Sequence, residues 1–382
     1  MPRLVISTMG TSLLTNQIKE RTDPKDWKRR LNETANFSYE EVSKYHEDIL
    51  DIINNLRQRA EEKLYDDDTD VSPLREASAE LNGIYGLYNK KIEQGIPDTH
   101  LLIATDTAQG IVTAEIVESF LRSKGLVNTS TCIQPGLSIS SSNTFVEGMA
   151  KLIPSMQKTI LDCKKSKYDI CFNLVGGFKA LQGYFNTIGM FYADEIIYVF
   201  EGSNEVITIP RLPVNVDIDK IVPHKVQLAL MQVGEIPTFW EEAKKVPKEW
   251  VLIDNQEMTL STWGQLVWSQ CKDNLLSQDK PLKFPKIEYA STFIDDYKSK
   301  PADEKIILQE NLARSACLLL NHKDGISAMK QDGIFRLRRY EGKNKDIDHF
   351  DLPKDRRVSC IAKEGNLYLR HYGEHNYVNN NP

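Results

Sequence analysis

Two sets of residues have types and spacing suited to chemistry on phosphate. In the first, Asp169-Ile-Cys-Phe-Asn-Leu-Val-Gly-Gly-Phe-Lys179, an apolar run stops at Gly176-Gly177 and a helix-compatible pattern begins at once. A strand that turns abruptly into a helix leaves the first helical N–H groups unpaired and aimed at one spot, the positive end of the dipole. Glycine lets a ligand approach the backbone closely, and Lys179 adds a full charge. Such a turn suits a phosphate or another anion, and it is equally compatible with a plain turn beside a solvated lysine.

The second set is C-terminal. Arg336 and Arg338 alternate on one expected strand, Arg357 lies on the next and Arg370 on a third, and His375 and Tyr377 follow. Alternate residues of a strand share a face. The arginines therefore gather with Tyr340, Tyr368 and Tyr372, opposite Phe335, Leu337, Val358, Cys360, Leu367 and Leu369. Residues 325–382 carry 11 Lys and Arg against 8 Asp and Glu, in a chain of net charge −6. Guanidinium groups for phosphate and rings for stacking bases suit single-stranded RNA. No carboxylate cluster of metal-binding type accompanies them in the sequence, so the expected chemistry is phosphodiester cleavage without a metal. The RNA's 2′-OH attacks the adjacent phosphate, Arg336, Arg338 and Arg357 stabilise the developing charge, and His375 or Tyr377 transfers a proton.

The first set needs a sheet edge to hold it. Arg3–Thr8 reads as a buried strand entering a hydroxyl-rich loop, in which Thr8, Gly10, Thr11, Ser12 and Asn16 offer N–H and O–H groups. Thr99–Asp106 is a second such strand, ending in Thr105 and Asp106 before a helix through Lys124. Each residue alone could be a helix cap. Further elements are a strand near 131–135, helices over 146–164 and 178–193, the strand Glu195–Phe200, a turn over 201–204 and an edge strand Val206–Pro210. Strands alternating with helices predict an α/β, doubly wound parallel sheet, whose ligand edge is the carboxyl end of its strands. Amphipathic helices over 38–65 and 73–95, separated by the acidic stretch 66–70, read as an insertion or dimer-packing element.

Residues 219–285 predict a small helical, winged-helix-like connector, with helices over 226–233, 236–243 and 260–276 and a strand at 250–253. None of these helices is notably basic, which counts against DNA reading. An α+β unit follows over 286–382: a strand 287–293, a helix 303–321 and a meander of Ile334–Tyr340, Arg357–Lys363 and Asn366–Tyr372. The expected domains are thus 1–218, 219–285 and 286–382, a division natural for 382 residues. Six cysteines without a Cys-x-x-Cys or Cys/His cluster predict reduced thiols, a cytoplasmic location and no zinc site. No apolar run approaches the roughly 20 residues of a membrane span, and the N-terminal stretch lacks a signal-peptide pattern.

Residues 1–218 resemble the CARF domains of CRISPR-associated proteins, on Ser7-Thr-Met-Gly-Thr-Ser12, Ala104-Thr-Asp106 and Leu174-Val-Gly-Gly-Phe-Lys179. The resemblance implies a Rossmann-like homodimer whose paired pockets bind a cyclic oligoadenylate made by a type III CRISPR complex. Thr11, Ser12, Asp106, Gly177 and Lys179 are the positions it carries to ligand binding. A twofold pocket suits a ring of even symmetry, so cyclic tetra-adenylate is the expected activating ligand, with no other cofactor.

Residues 286–378 resemble a RelE-type toxin, on the element order, Phe335-Arg-Leu-Arg338, Arg357 and Gly373-Glu-His-Asn-Tyr377. That family cuts mRNA in the ribosomal A site without a metal, so mRNA and the ribosome are the implied partners. Arginines at 336 and 338, where the family often has lysines, shift proton transfer toward His375, His371 or a tyrosine. Together the two resemblances imply a CRISPR-associated mRNA interferase. Two other readings stay open: a ligand-responsive DNA-binding regulator, and a nuclease that degrades the ring through Lys179.

Overall fold

The computed structural model describes residues 1–66, 70–137, 141–200 and 205–382. Residues 67–69 of the acidic stretch and the expected turn 201–204 lie outside that set. The chain forms two compact units, Met1–Asn215 and Val216–Pro382.

The first unit is built on a six-stranded sheet, with β1 (Arg3–Thr8), β2 (Thr99–Thr105), β3 (Thr129–Gln134), β4 (Asp169–Asn173), β5 (Glu195–Val199) and β6 (Val206–Pro210). Their order is β3-β2-β1-β4-β5-β6. The first five are parallel, and β6 runs antiparallel to β5. Leu4, Val5 and Ile6 are all fully buried, the continuous burial of a strand covered on both faces. Strand order reverses between β1 and β4, so the crevice at their carboxyl ends is the topological switch point.

The long helical stretch between β1 and β2, expected as an insertion or dimer-packing element, packs as a layer of the unit. Ile49, Ile52, Ile53, Leu56, Leu81 and Ile84 share one core with Leu102, Ala104 and the helix Ala108–Ser123. The two expected helices are each broken. A capping box between Ser38 and Glu41 opens Tyr39–Tyr45, and the chain restarts at Glu47–Tyr65 after His46. Ser78, in extended backbone, separates Val71–Ala77 from Ala79–Leu87 and caps the latter by accepting from the Leu81 N–H.

The second unit holds two sheets. β7 (Ile236–Pro237), β8 (Val251–Asp254) and β9 (Glu257–Leu260) pair in the order β7-β9-β8. β10 (Ile287–Tyr289), β11 (Arg338–Arg339), β12 (Asp348–Leu352), β13 (Arg356–Lys363) and β14 (Asn366–Glu374) pair in the order β10-β14-β13-β12-β11. One core runs from Leu228, Trp268 and Leu275 to Phe293, Leu312, Phe335, Phe350, Val358 and Leu369.

Four sequence expectations change here. Residues 236–243 supply β7 and turns instead of a helix, and 287–293 divide into β10 and the start of a helix, Ser291–Lys298. The expected strand 334–340 shrinks to two residues. The Asp332 carboxylate accepts the Ile334 and Phe335 N–H groups at 2.8 and 2.9 Å, and Arg336 adopts φ +46°, so this segment is a turn. Finally, the register slips by one residue between Ser359 and Cys360 opposite β14. Arg370 is the extra residue of that bulge, and it reverses the faces beyond it, so that Tyr372 enters the core instead of joining the arginines.

Candidate functional site

In the first unit a cavity of about 170 Å3 opens at the carboxyl edge of the sheet, lined by Gly10, Thr11, Asn36, Thr105, Thr107, Gly177 and Phe178 among others. It lies against the switch point because the loops after β1 and β4 meet backbone to backbone. A Cβ on Gly10 would come 3.0 Å from the Gly177 nitrogen. Gly177 itself has φ +92°, and a Cβ there would come 3.0 Å from that of Thr8. Glycine is demanded by both the contact and the conformation. Thr8 Oγ1 donates to the Gly176 carbonyl at 2.5 Å, closing the seam.

The polar groups expected at this edge do different jobs. The Gly10 N–H donates to Glu80 Oε1 at 2.6 Å, and Ser12 Oγ donates to Glu80 Oε2 at 3.4 Å. Both are turned inward to a fully buried carboxyl group. Burial pushes that carboxyl above its ordinary range, against hydrogen bonds from the backbone and from Ser78 and Ser12. A methyl on Gly176 would overlap the Glu80 carboxyl. Thr105 Oγ1 pairs with Thr107 Oγ1 at 2.9 Å, and Thr107 caps the next helix. Asp106 Oδ2 accepts the Gly136 N–H at 2.9 Å, while its buried Oδ1 has no partner among the described residues. Lys179 is exposed at the start of the helix Lys179–Tyr192, whose N-cap, Phe178, supplies no side-chain cap. Gln182 donates to the Leu174 and Gly176 carbonyls at 3.0 and 3.1 Å and holds the turn.

Thr8, Gly10, Thr11, Ser12, Thr105, Gly176 and Gly177 thus share one edge. Asp106 and Lys179 flank it. Glu80, Thr107 and Phe178 are not read from the sequence. A lone glutamate in an amphipathic helix looks like a solvated residue, and no local pattern marks it as buried.

In the second unit, a polar network covers one face of the five-stranded sheet. Arg338 and Arg357 converge on Asp351: Arg338 NH2 lies 2.7 Å from Oδ2, and Arg357 Nε and NH2 lie 2.9 and 2.7 Å from Oδ1. Arg338 Nε donates to His349 Nε2 at 2.9 Å, and the His349 ring lies 4.1 Å from that of Tyr340 between centroids. Arg357 NH1 and Tyr340 Oη both donate to Asn379 Oδ1, at 2.6 and 2.9 Å, and Asn379 Nδ2 meets His375 Nδ1 at 3.1 Å.

Burial, then the neighbouring Arg357 and Arg338, push the His349 imidazole down to about 4. It is neutral near pH 7, with Nε2 accepting from Arg338 and Nδ1 buried. Burial pulls Asp351 upward, but the two guanidinium groups outweigh it and its carboxyl ends below the ordinary range.

Of the six C-terminal residues singled out by the sequence, Arg338, Arg357 and His375 come together. Tyr377 belongs to a second group, where its hydroxyl donates to Asp296 Oδ1 at 2.7 Å and His371 Nδ1 meets Asp296 Oδ2 at 2.9 Å. Arg336 sits on its turn, donating to the Gly333 carbonyl at 3.1 Å, and Arg370 occupies the bulge. Neither joins the network. His349 and Asp351 come from β12, which the sequence reading overlooks. Their signal was present in Asp348-His-Phe-Asp-Leu352, whose Phe350 and Leu352 alternate inward while His349 and Asp351 face the network.

Residues 75–212 match the family model described as CRISPR-associated protein (Cas_APE2256). The matched stretch holds Glu80, Thr105, Asp106, the Gly176-Gly177 turn and Lys179, and it ends before the second unit. The match supports a CRISPR-associated protein and suggests a role in CRISPR defence.

Proposed function

We propose that the chain acts in CRISPR defence as an endoribonuclease gated by a cyclic oligoadenylate. The cavity beside Gly10 and Gly177 takes the ring, with cyclic tetra-adenylate as the preferred size across a homodimer, and the Arg338–Arg357 face cuts mRNA on the ribosome without a metal. The observation that carries this reading is one connected network in which Arg338 and Arg357 share the Asp351 carboxylate, His349 accepts from Arg338, and His375 joins through Asn379.

Each group has a role in attack by the RNA's own 2′-OH. Arg338 turns its Nε from His349 to the phosphate, and the freed His349 Nε2 takes the 2′-OH proton as the oxygen bonds to phosphorus. Arg338 and Arg357 hold the phosphoryl oxygens as negative charge grows on them, and Asp351 keeps both guanidinium groups in place. His375 gives a proton to the departing 5′ oxygen. The P–O5′ bond breaks, leaving a 2′,3′-cyclic phosphate and a 5′-hydroxyl. Tyr377, whose hydroxyl is made less acidic by donating to Asp296, serves that second group instead. The experiment that tests the reading is in vitro translation with and without cyclic tetra-adenylate, with the cut sites mapped. Uncut message at saturating ring, with the ring demonstrably bound, would remove the ribonuclease.

A further inference from the structure

We infer that Asn379 is an autoinhibitory latch, its amide oxygen standing where a phosphoryl oxygen of RNA has to lie; this rests on the ribonuclease reading and names its regulation. Asn379 Oδ1 takes hydrogen bonds from Arg357 NH1 at 2.6 Å and from Tyr340 Oη at 2.9 Å. An acceptor oxygen held by a guanidinium and a hydroxyl has the surroundings that a non-bridging phosphate oxygen would seek. The other end of the same amide meets His375 Nδ1 at 3.1 Å. One side chain therefore occupies the cation for the phosphate and a ring nitrogen needed for proton transfer.

Burial points the same way. The side chain of Arg338 is 46 % exposed and that of Arg357 is 5 % exposed. Half of the guanidinium pair is open to substrate, and the other half is closed by the helix His375–Asn380. That helix is easy to shift. It has six residues, its N-cap Glu374 makes no side-chain cap, and Val378 is its one buried side chain. Its polar tethers are Asn379 on one side and the Tyr377–Asp296 hydrogen bond on the other. Moving it exposes little apolar surface, whereas a phosphate in its place gains charge-assisted hydrogen bonds. A ligand can open such a closure only by favouring the open arrangement.

The test uses the full chain, no ring, and a single-stranded RNA fully 2′-O-methylated so that its own 2′ oxygen cannot attack. Asn379→Ala is expected to bind this RNA roughly tenfold more tightly than the wild type, the scale of one hydrogen bond to a charged group. It should also cut unmodified RNA without ring at a comparably raised rate. Adding Arg357→Ala should cancel both gains. Should Asn379→Ala fold poorly, Tyr340→Phe loosens the same oxygen from its other donor and should shift binding in the same direction by less.

Wild-type affinity in a folded Asn379→Ala would overturn the latch, as would loss of its ring-triggered cleavage, which would make Asn379 part of the working site. The two ideas fail separately. Tighter binding with no cleavage by any variant, ring included, keeps the latch and removes the ribonuclease. Ring-triggered wild-type cleavage with an unchanged Asn379→Ala does the reverse.

Discussion

The two polar edges of this molecule are built in opposite ways. The cavity in the first unit is made of backbone, with glycines pressed against each other at the switch point and threonine hydroxyls spent on the seam. The network in the second unit is made of side chains, with guanidinium groups from β11 and β13 on a carboxylate of β12 and a short helix joined to them through Asn379. A backbone site is specified by a few residues next to each other in sequence. A side-chain site depends on register, and register is set by turns and bulges. The first kind survives most conservative changes outside its glycines, whereas the second is lost with one guanidinium.

The sharpest way to break that contrast is Arg357→Ala. It should lower RNA cleavage by about 100- to 1,000-fold, the scale of losing one preorganised charge-stabilising group, and leave ring binding to the first unit unchanged. Arg336→Ala, on its turn outside the network, should leave cleavage close to wild type. Equal losses from both would return the site to a general basic face. Gly176→Ala tests the backbone side, because its methyl overlaps the buried Glu80 carboxyl. Overpacking of this kind costs about 1–3 kcal/mol, to be read as a lower denaturation midpoint with weakened ring binding.

Acidification should separate the two units. The Glu80 carboxyl is raised above 4.5 in the folded chain. Its proton is held more tightly folded than unfolded, so its contribution is full below 4.5 and lost as pH climbs through the folded value. His349 falls from 6.5 to about 4. Its contribution is full above 6.5 and lost as pH drops toward about 4. Lowering pH from 6.5 to 4.5 should therefore favour the first unit through Glu80 and weaken the second through His349. Hydrogen exchange of β1 and β4 against β12 and β13 reads this directly. Glu80→Gln should flatten the first response and His349→Gln the second. The smallest effect is expected from Tyr377→Phe, which removes a hydrogen bond to Asp296 and should slow cleavage only a few-fold. A loss as large as that of Arg357→Ala would move the proton donor to Tyr377.

The same contrast explains what the sequence made legible. The parallel sheet, its glycine turns and the edge where Thr8, Gly10, Thr105 and Gly177 gather can all be read from apolar runs that end in small residues. Glu80 cannot, because its burial arises from its helix folding over Gly10, 70 positions away in sequence, and over the still more distant Gly176. In the second unit the helix over 302–321 and the last two strands follow their periodicity. The strand β12 escapes because two aspartates and a histidine among five residues lower its apparent strand character. Arg336 and Tyr372 leave the expected face for reasons no alternation rule contains, an aspartate-held turn and one extra residue at a bulge.

The account stands on a division between a nucleotide-sensing unit and an RNA-cutting unit, and one comparison tests it most directly. Wild type and Arg357→Ala are placed in parallel translation reactions with cyclic tetra-adenylate, and ring binding and message integrity are measured on the same samples. The account predicts equal ring binding by both proteins, with cuts in the message only in the wild-type reaction and only when the ring is present. Ring-triggered cuts of equal extent with Arg357→Ala, or intact message beside ring-saturated wild type, would contradict it.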